Sequence, residues 1–110
     1  MKRAILAGLL AAAALPAQNS NAANGKRLFE ANACYECHGW RGQGGLNGPR
    51  LAQTRLTLQG FRGILRNPPP SNMPPYRAAV LTDQEVADLF AYVQSFPAPE
   101  PVDKIPLLKN

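Results

Sequence analysis

Cys34, Tyr35, Glu36, Cys37 and His38 form one run, and the chain's chemistry gathers there. The chain has two cysteines and one histidine, and this run uses all three. In a short helical turn, two thiols at this spacing reach the two vinyl groups on one porphyrin edge. An imidazole directly after the second thiol then comes up beneath the iron. That is the spacing of a c-type haem attachment site. Other uses of these residues fit less well. A thioredoxin-like dithiol needs a βαβ setting, which the flanking sequence does not provide. A structural zinc ion needs four nitrogen or sulfur ligands, and only three such residues are present.

Iron held by one histidine is either open on its other side and reactive, or capped and confined to electron exchange. Met73 bears on that choice. Once Met1 leaves with a leader, Met73 is the remaining methionine, and it sits in Ser71-Asn72-Met73-Pro74-Pro75-Tyr76. Prolines narrow the backbone's freedom, so a thioether here can be held at a metal with less entropy lost. Methionine also serves as a core filler, but its uniqueness and proline setting favour a ligand. The expected metal ligands are His38 and Met73.

The elements that position these residues begin after a leader. Lys2 and Arg3 precede an apolar or small run from Ile5 to Ala14, and Ser20-Asn21-Ala22 offers small residues at a cleavage site. A cut after Ala22 is expected, with Ala17 and Ala23 as alternatives. The run falls short of the roughly 20 residues a membrane span needs. The mature chain is therefore expected in the periplasm, with no membrane span. The full chain has 12 Lys and Arg against 7 Asp and Glu. Losing Lys2 and Arg3 leaves ten against seven, a balance that carries no nucleic-acid inference. The expected layout is a signal peptide over 1–22, one small domain over 23–96 and a proline-rich extended tail over 97–110.

Within the domain, Asn24 can cap a helix over Gly25–Ala33. Gly25 is a poor helix former and suggests close approach by another backbone. Trp40 to Pro49 reads as a glycine-rich loop. Leu58, Phe61, Ile64 and Leu65 stand near helical spacing, weakened by Gly60 and Gly63. Pro68-Pro69-Pro70 ends that stretch. The last helix is the clearest: Thr82 and Glu85 make a capping box, and Leu81 and Val86 a hydrophobic staple. Val86, Leu89, Phe90 and Val93 form its apolar stripe, ending before Pro97.

Taken together, residues 24–96 resemble the class I monohaem c-type cytochromes. The resemblance rests on Cys34-x-x-Cys37-His38, Gly48-Pro49-x-Leu51, Met73-Pro74-Pro75-Tyr76 and the capped final helix. It implies a compact all-α fold of roughly three to five short helices around one covalent haem c and its iron. It also implies that the Pro49 carbonyl accepts from Nδ1 of His38. The terminal helices would cross at Gly25 and Phe29 on one side, Leu89 and Tyr92 on the other. Three functions follow from such a site. One is a one-electron carrier between redox proteins, from a periplasmic dehydrogenase to an oxidase or another cytochrome. Another is a dedicated cytochrome subunit of a flavin- or quinone-dependent dehydrogenase. The third is a five-coordinate haem that binds gas or reduces peroxide; it needs Met73 unbound and a distal acid or base, and no second histidine exists to serve. The first two are electron transfer without enzymatic bond chemistry.

Overall fold

The fold is built on the crossing of its first and last helices. The computed structural model describes residues 19–109, so the leader reading lies mostly outside the described residues. Four α-helices occur there, and no strand: α1 (Ala22–Ala31), α2 (Cys34–His38), α3 (Leu58–Arg66) and α4 (Asp83–Gln94). No helix among the described residues is long and apolar enough to cross a membrane.

Helix α4 starts as its sequence requires. The Glu85 amide donates to Thr82 Oγ1 at 3.2 Å, and the Thr82 amide donates to Glu85 Oε2 at 2.8 Å. Leu81 and Val86, on either side of the cap, are both buried. The inner face of α4 then packs chiefly on α1. Gly25 permits this: a Cβ there would lie 2.6 Å from the Asp88 carbonyl carbon and 2.8 Å from Tyr92 Cβ. Phe29 fills the crossing, edge-on to Tyr92 at 5.4 Å and to Phe96 at 5.7 Å.

Helix α1 begins one turn earlier than its own sequence suggests. Asn21, not Asn24, is the cap, with its side chain accepting from the Asn24 amide at 3.1 Å. The cause lies on α4. The Asp88 carboxylate accepts from the Asn21 amide at 2.7 Å, from Asn24 Nδ2 at 2.8 Å and from Gln84 Nε2 at 3.0 Å. Burial works to raise the Asp88 carboxyl, and these hydrogen bonds outweigh it, leaving it below the usual carboxylate range. Helix α1 also stops before Ala33, which takes a left-handed conformation (φ 54°) and turns the chain into α2.

Helix α3 forms despite Gly60 and Gly63. Thr57 caps it through the Gly60 amide at 3.1 Å, and its apolar side buries Phe61 and Leu65. Tertiary burial overrides weak propensity here. The tail also departs from a purely extended chain. It carries two 3₁₀ turns, Val102–Lys104 and Pro106–Leu108, begun where Pro101 and Pro106 preset a turn-forming φ.

Candidate haem site

The Cys34–His38 turn lies at the edge of a cavity of about 540 Å³. Phe29 from α1, Phe61 and Leu65 from α3, and Leu89 and Val93 from α4 form much of its apolar wall. Cys34, Cys37, His38, Pro49 and Met73, the five residues singled out in the sequence, all line this one cavity. They arrive from three separate segments. Trp40 is not among the lining residues; it is 58% exposed and stacks on Tyr35 at 3.7 Å, outside the cavity. Tyr76 does line it, and burial raises its hydroxyl above the usual tyrosine value.

His38 is buried, and its Nδ1 lies 2.7 Å from the Pro49 carbonyl oxygen. A carbonyl only accepts, so Nδ1 carries the proton and Nε2 keeps the lone pair. The imidazole is thus set in the tautomer a metal ligand needs. The loop from Gly39 to Ala52 brings that carbonyl into place. Its Gly44 amide donates to the His38 carbonyl at 2.8 Å, and the Leu51 and Ala52 amides both donate to Gly42. Gly48 runs so close beneath α2 that a Cβ would stand 2.9 Å from the Cys37 carbonyl oxygen. Any side chain at 48 would push Pro49 away from the imidazole.

The two thiols differ. Cys34 is half-buried and Cys37 exposed. Burial pushes the Cys34 thiol up to about 11. Reactive Cys-x-x-Cys dithiols work through a lowered thiol pKa, so this shift runs opposite to disulfide-exchange chemistry. No cluster of three or more His, Cys, Asp or Glu that could hold a metal ion occurs among the described residues.

Met73 approaches from the segment between α3 and α4. Asn67 to Pro75 leaves the end of α3, and Pro69, Ser71, Asn72, Met73 and Pro74 of this loop line the cavity. The loop returns at Tyr76, whose amide donates to the Leu65 carbonyl at 2.7 Å. Arg66 closes the same junction: Nη1 donates to the carbonyls of Tyr76 at 2.9 Å and Leu81 at 2.7 Å, and Nη2 to Asp83 Oδ1 at 2.8 Å. The Arg66 hydrogen bond is the main reason the Asp83 carboxyl sits below its usual range. The sequence alone gives Arg66 no role, since it is one of six arginines between the Cys34–His38 motif and α4. The carbonyls it reaches, Tyr76 and Leu81, lie outside α3 and come to it only through the fold.

Residues 20–93, more than half of the chain, match the family model described as "Cytochrome C oxidase, cbb3-type, subunit III". The chain belongs to this family of c-type cytochromes. It is also similar to cytochrome c4 of Thiocapsa roseopersicina, with 41% identity over 70 residues that take in 56% of this chain. Those residues cover 36% of that relative, so the chain spans well under half its length. No solved structure matches the chain. Its all-α architecture agrees with that family. The family implies haem c held covalently by two cysteines, and the chain contains two, Cys34 and Cys37. The cavity fits such a group. Its walls are chiefly apolar side chains, and both thiols and the imidazole are among the groups that line it.

Proposed function

We propose that this chain is a periplasmic one-electron carrier whose haem c is joined to Cys34 and Cys37, with His38 and Met73 as axial ligands. The observation that carries the reading is that both thiols, the Nε2-available imidazole and the mature chain's sole methionine line the same cavity. The bound group supplies an iron centre that takes up and returns one electron. The protein's part is to hold, orient and insulate. Cys34 and Cys37 fix one edge of the group. His38 presents Nε2 because the Pro49 carbonyl holds Nδ1. Met73 offers a soft thioether that favours the reduced metal and closes the distal side. Phe29, Phe61, Leu65, Leu89 and Val93 keep water from the interior, and exposed Cys37 leaves one edge near the surface. Export rests on the Lys2-Arg3 start and the apolar run after it. The partners that fit are redox proteins, a periplasmic dehydrogenase as donor and an oxidase or another cytochrome as acceptor.

The test is carbon monoxide addition to the reduced, haem-loaded protein, beside Met73→Ala. The expected result is that wild type resists the gas and the variant binds it readily. Equal, rapid binding by both would overturn the assignment of Met73 and return gas or peroxide chemistry to consideration.

A further inference from the structure

Most of the loop that carries Met73 has little backbone anchorage of its own. Pro68, Pro69, Pro70, Pro74 and Pro75 have no amide hydrogen to donate. The Met73 amide donates only locally, to Ser71 Oγ at 3.2 Å. The fastenings lie at the two ends. The Asn67 amide donates to Gly63 at 2.9 Å where the loop leaves α3, and the Tyr76 junction closes it where it returns. Two residues, Pro74 and Pro75, separate Met73 from that junction.

At the junction, Arg66 does what no other described side chain does. Its side chain is 18% exposed, against 65% for its partner Asp83. One terminal nitrogen serves two backbone carbonyls, and the other serves a carboxylate. A planar guanidinium can satisfy that set at once; an ammonium on a flexible stem cannot reproduce the fork. Prolines limit how the loop bends, and Arg66 limits where it lands.

We propose that Arg66 is a positioning residue for the sixth ligand: by clamping the Tyr76 and Leu81 carbonyls to the end of α3, it keeps the Met73 thioether within reach of the metal. This rests on the reading of Met73 as an axial ligand. Opening of the loop and release of the sulfur are one event in this scheme. Weakening the clamp raises the fraction of molecules with an open distal side. Arg66→Lys keeps the charge and loses the fork. Asp83→Asn removes the carboxylate charge that pairs with Arg66 and Arg62 and leaves both carbonyl bonds in place.

The experiment compares haem-loaded wild type, Met73→Ala, Arg66→Lys and Asp83→Asn. It measures carbon monoxide binding to the reduced form and, in the ferric form, the pH at which the sulfur-to-iron charge-transfer band disappears. Losing two charge-assisted hydrogen bonds predicts binding faster by about tenfold or more in Arg66→Lys. The band should disappear at lower pH in that variant, while Asp83→Asn stays close to wild type. If Met73→Ala differs from wild type and Arg66→Lys does not, the role given to Arg66 is wrong and the ligand assignment stands. If Arg66→Lys and Asp83→Asn change equally, Arg66 acts through general stability and the proposal falls. If Met73→Ala and wild type bind alike, both readings fall. Should Arg66→Lys not accumulate as folded holoprotein, wild-type amide exchange decides. Protection of the Tyr76 amide equal to that of α3 supports the clamp, and free exchange there overturns it.

Discussion

Replacing Gly25 with alanine sets two opposing effects against each other. In a helix interior, alanine is favoured over glycine by about 1 kcal/mol. The position decides otherwise. The new Cβ would stand 2.6 Å from the Asp88 carbonyl carbon and 2.8 Å from Tyr92 Cβ, where carbon atoms normally rest about 3.5–4.0 Å apart. Both obstacles belong to α4 and cannot swing aside, so α1 and α4 must separate by roughly 1 Å. A gap of that size forfeits about a quarter to a half of the dispersion energy across the contact. It also loosens the edge-to-face pairs of Phe29 with Tyr92 and Phe96, each worth about 0.5–1.5 kcal/mol. The combined loss is about 3 kcal/mol. After the gain in propensity, the net destabilisation is about 2 kcal/mol, or on the order of 10 °C in Tm for a domain this small. Urea unfolding of the haem-loaded proteins, followed by far-ultraviolet circular dichroism, measures it. A Gly25→Ala protein as stable as wild type, or more so, would refute the close-crossing argument.

Other expectations follow from the same structure. Thr82→Ala removes one arm of the capping box and should cost about 1 kcal/mol in urea unfolding. The Asp88 carboxyl is depressed in the folded state, so its contribution is present above the unfolded carboxylate value of about 3.9. It is lost as pH falls through the lower folded value. The acid limb of the stability curve should therefore flatten in Asp88→Asn, which should also cost about 2 kcal/mol at neutral pH because the buried donors lose a charged partner. Replacing both Cys34 and Cys37 with serine should leave a chain without cooperative unfolding, since the cavity loses its anchored occupant; a sharp thermal transition in that variant would count against it.

Features written in neighbouring residues were legible in the sequence. The Thr82–Glu85 box and the Leu81–Val86 staple are local, and the structure forms both as read. Gly25 announced a close approach because a glycine inside a helix is costly without one. The Cys34–His38 turn announced a cofactor by spacing alone. What the sequence concealed depends on residues far apart. The cap of α1 moved from Asn24 to Asn21 because Asp88, 67 positions away, accepts from the Asn21 amide. Gly60 and Gly63 argued against α3, and only the burial of Phe61 and Leu65 explains why it forms. Arg66 looked like five other arginines until the loop it fastens was folded back onto it.

The crossing of α1 and α4 has a consequence for the order of events in time. It joins residues 64 and 67 positions apart. Closing a loop of that length costs roughly 4 kcal/mol of chain entropy before any contact returns it. Folding is therefore slow to commit to this contact, while the local turns at Cys34–His38 and Thr82–Glu85 form early. Phe29 comes from one partner of the crossing, Leu89 and Val93 from the other. Until they meet, the Cys34–His38 turn faces an open chain that a planar group can reach without threading a folded protein. Once they meet, the wall is complete. The topology defers the closing of the cavity to the end of assembly, when there is something for it to close upon.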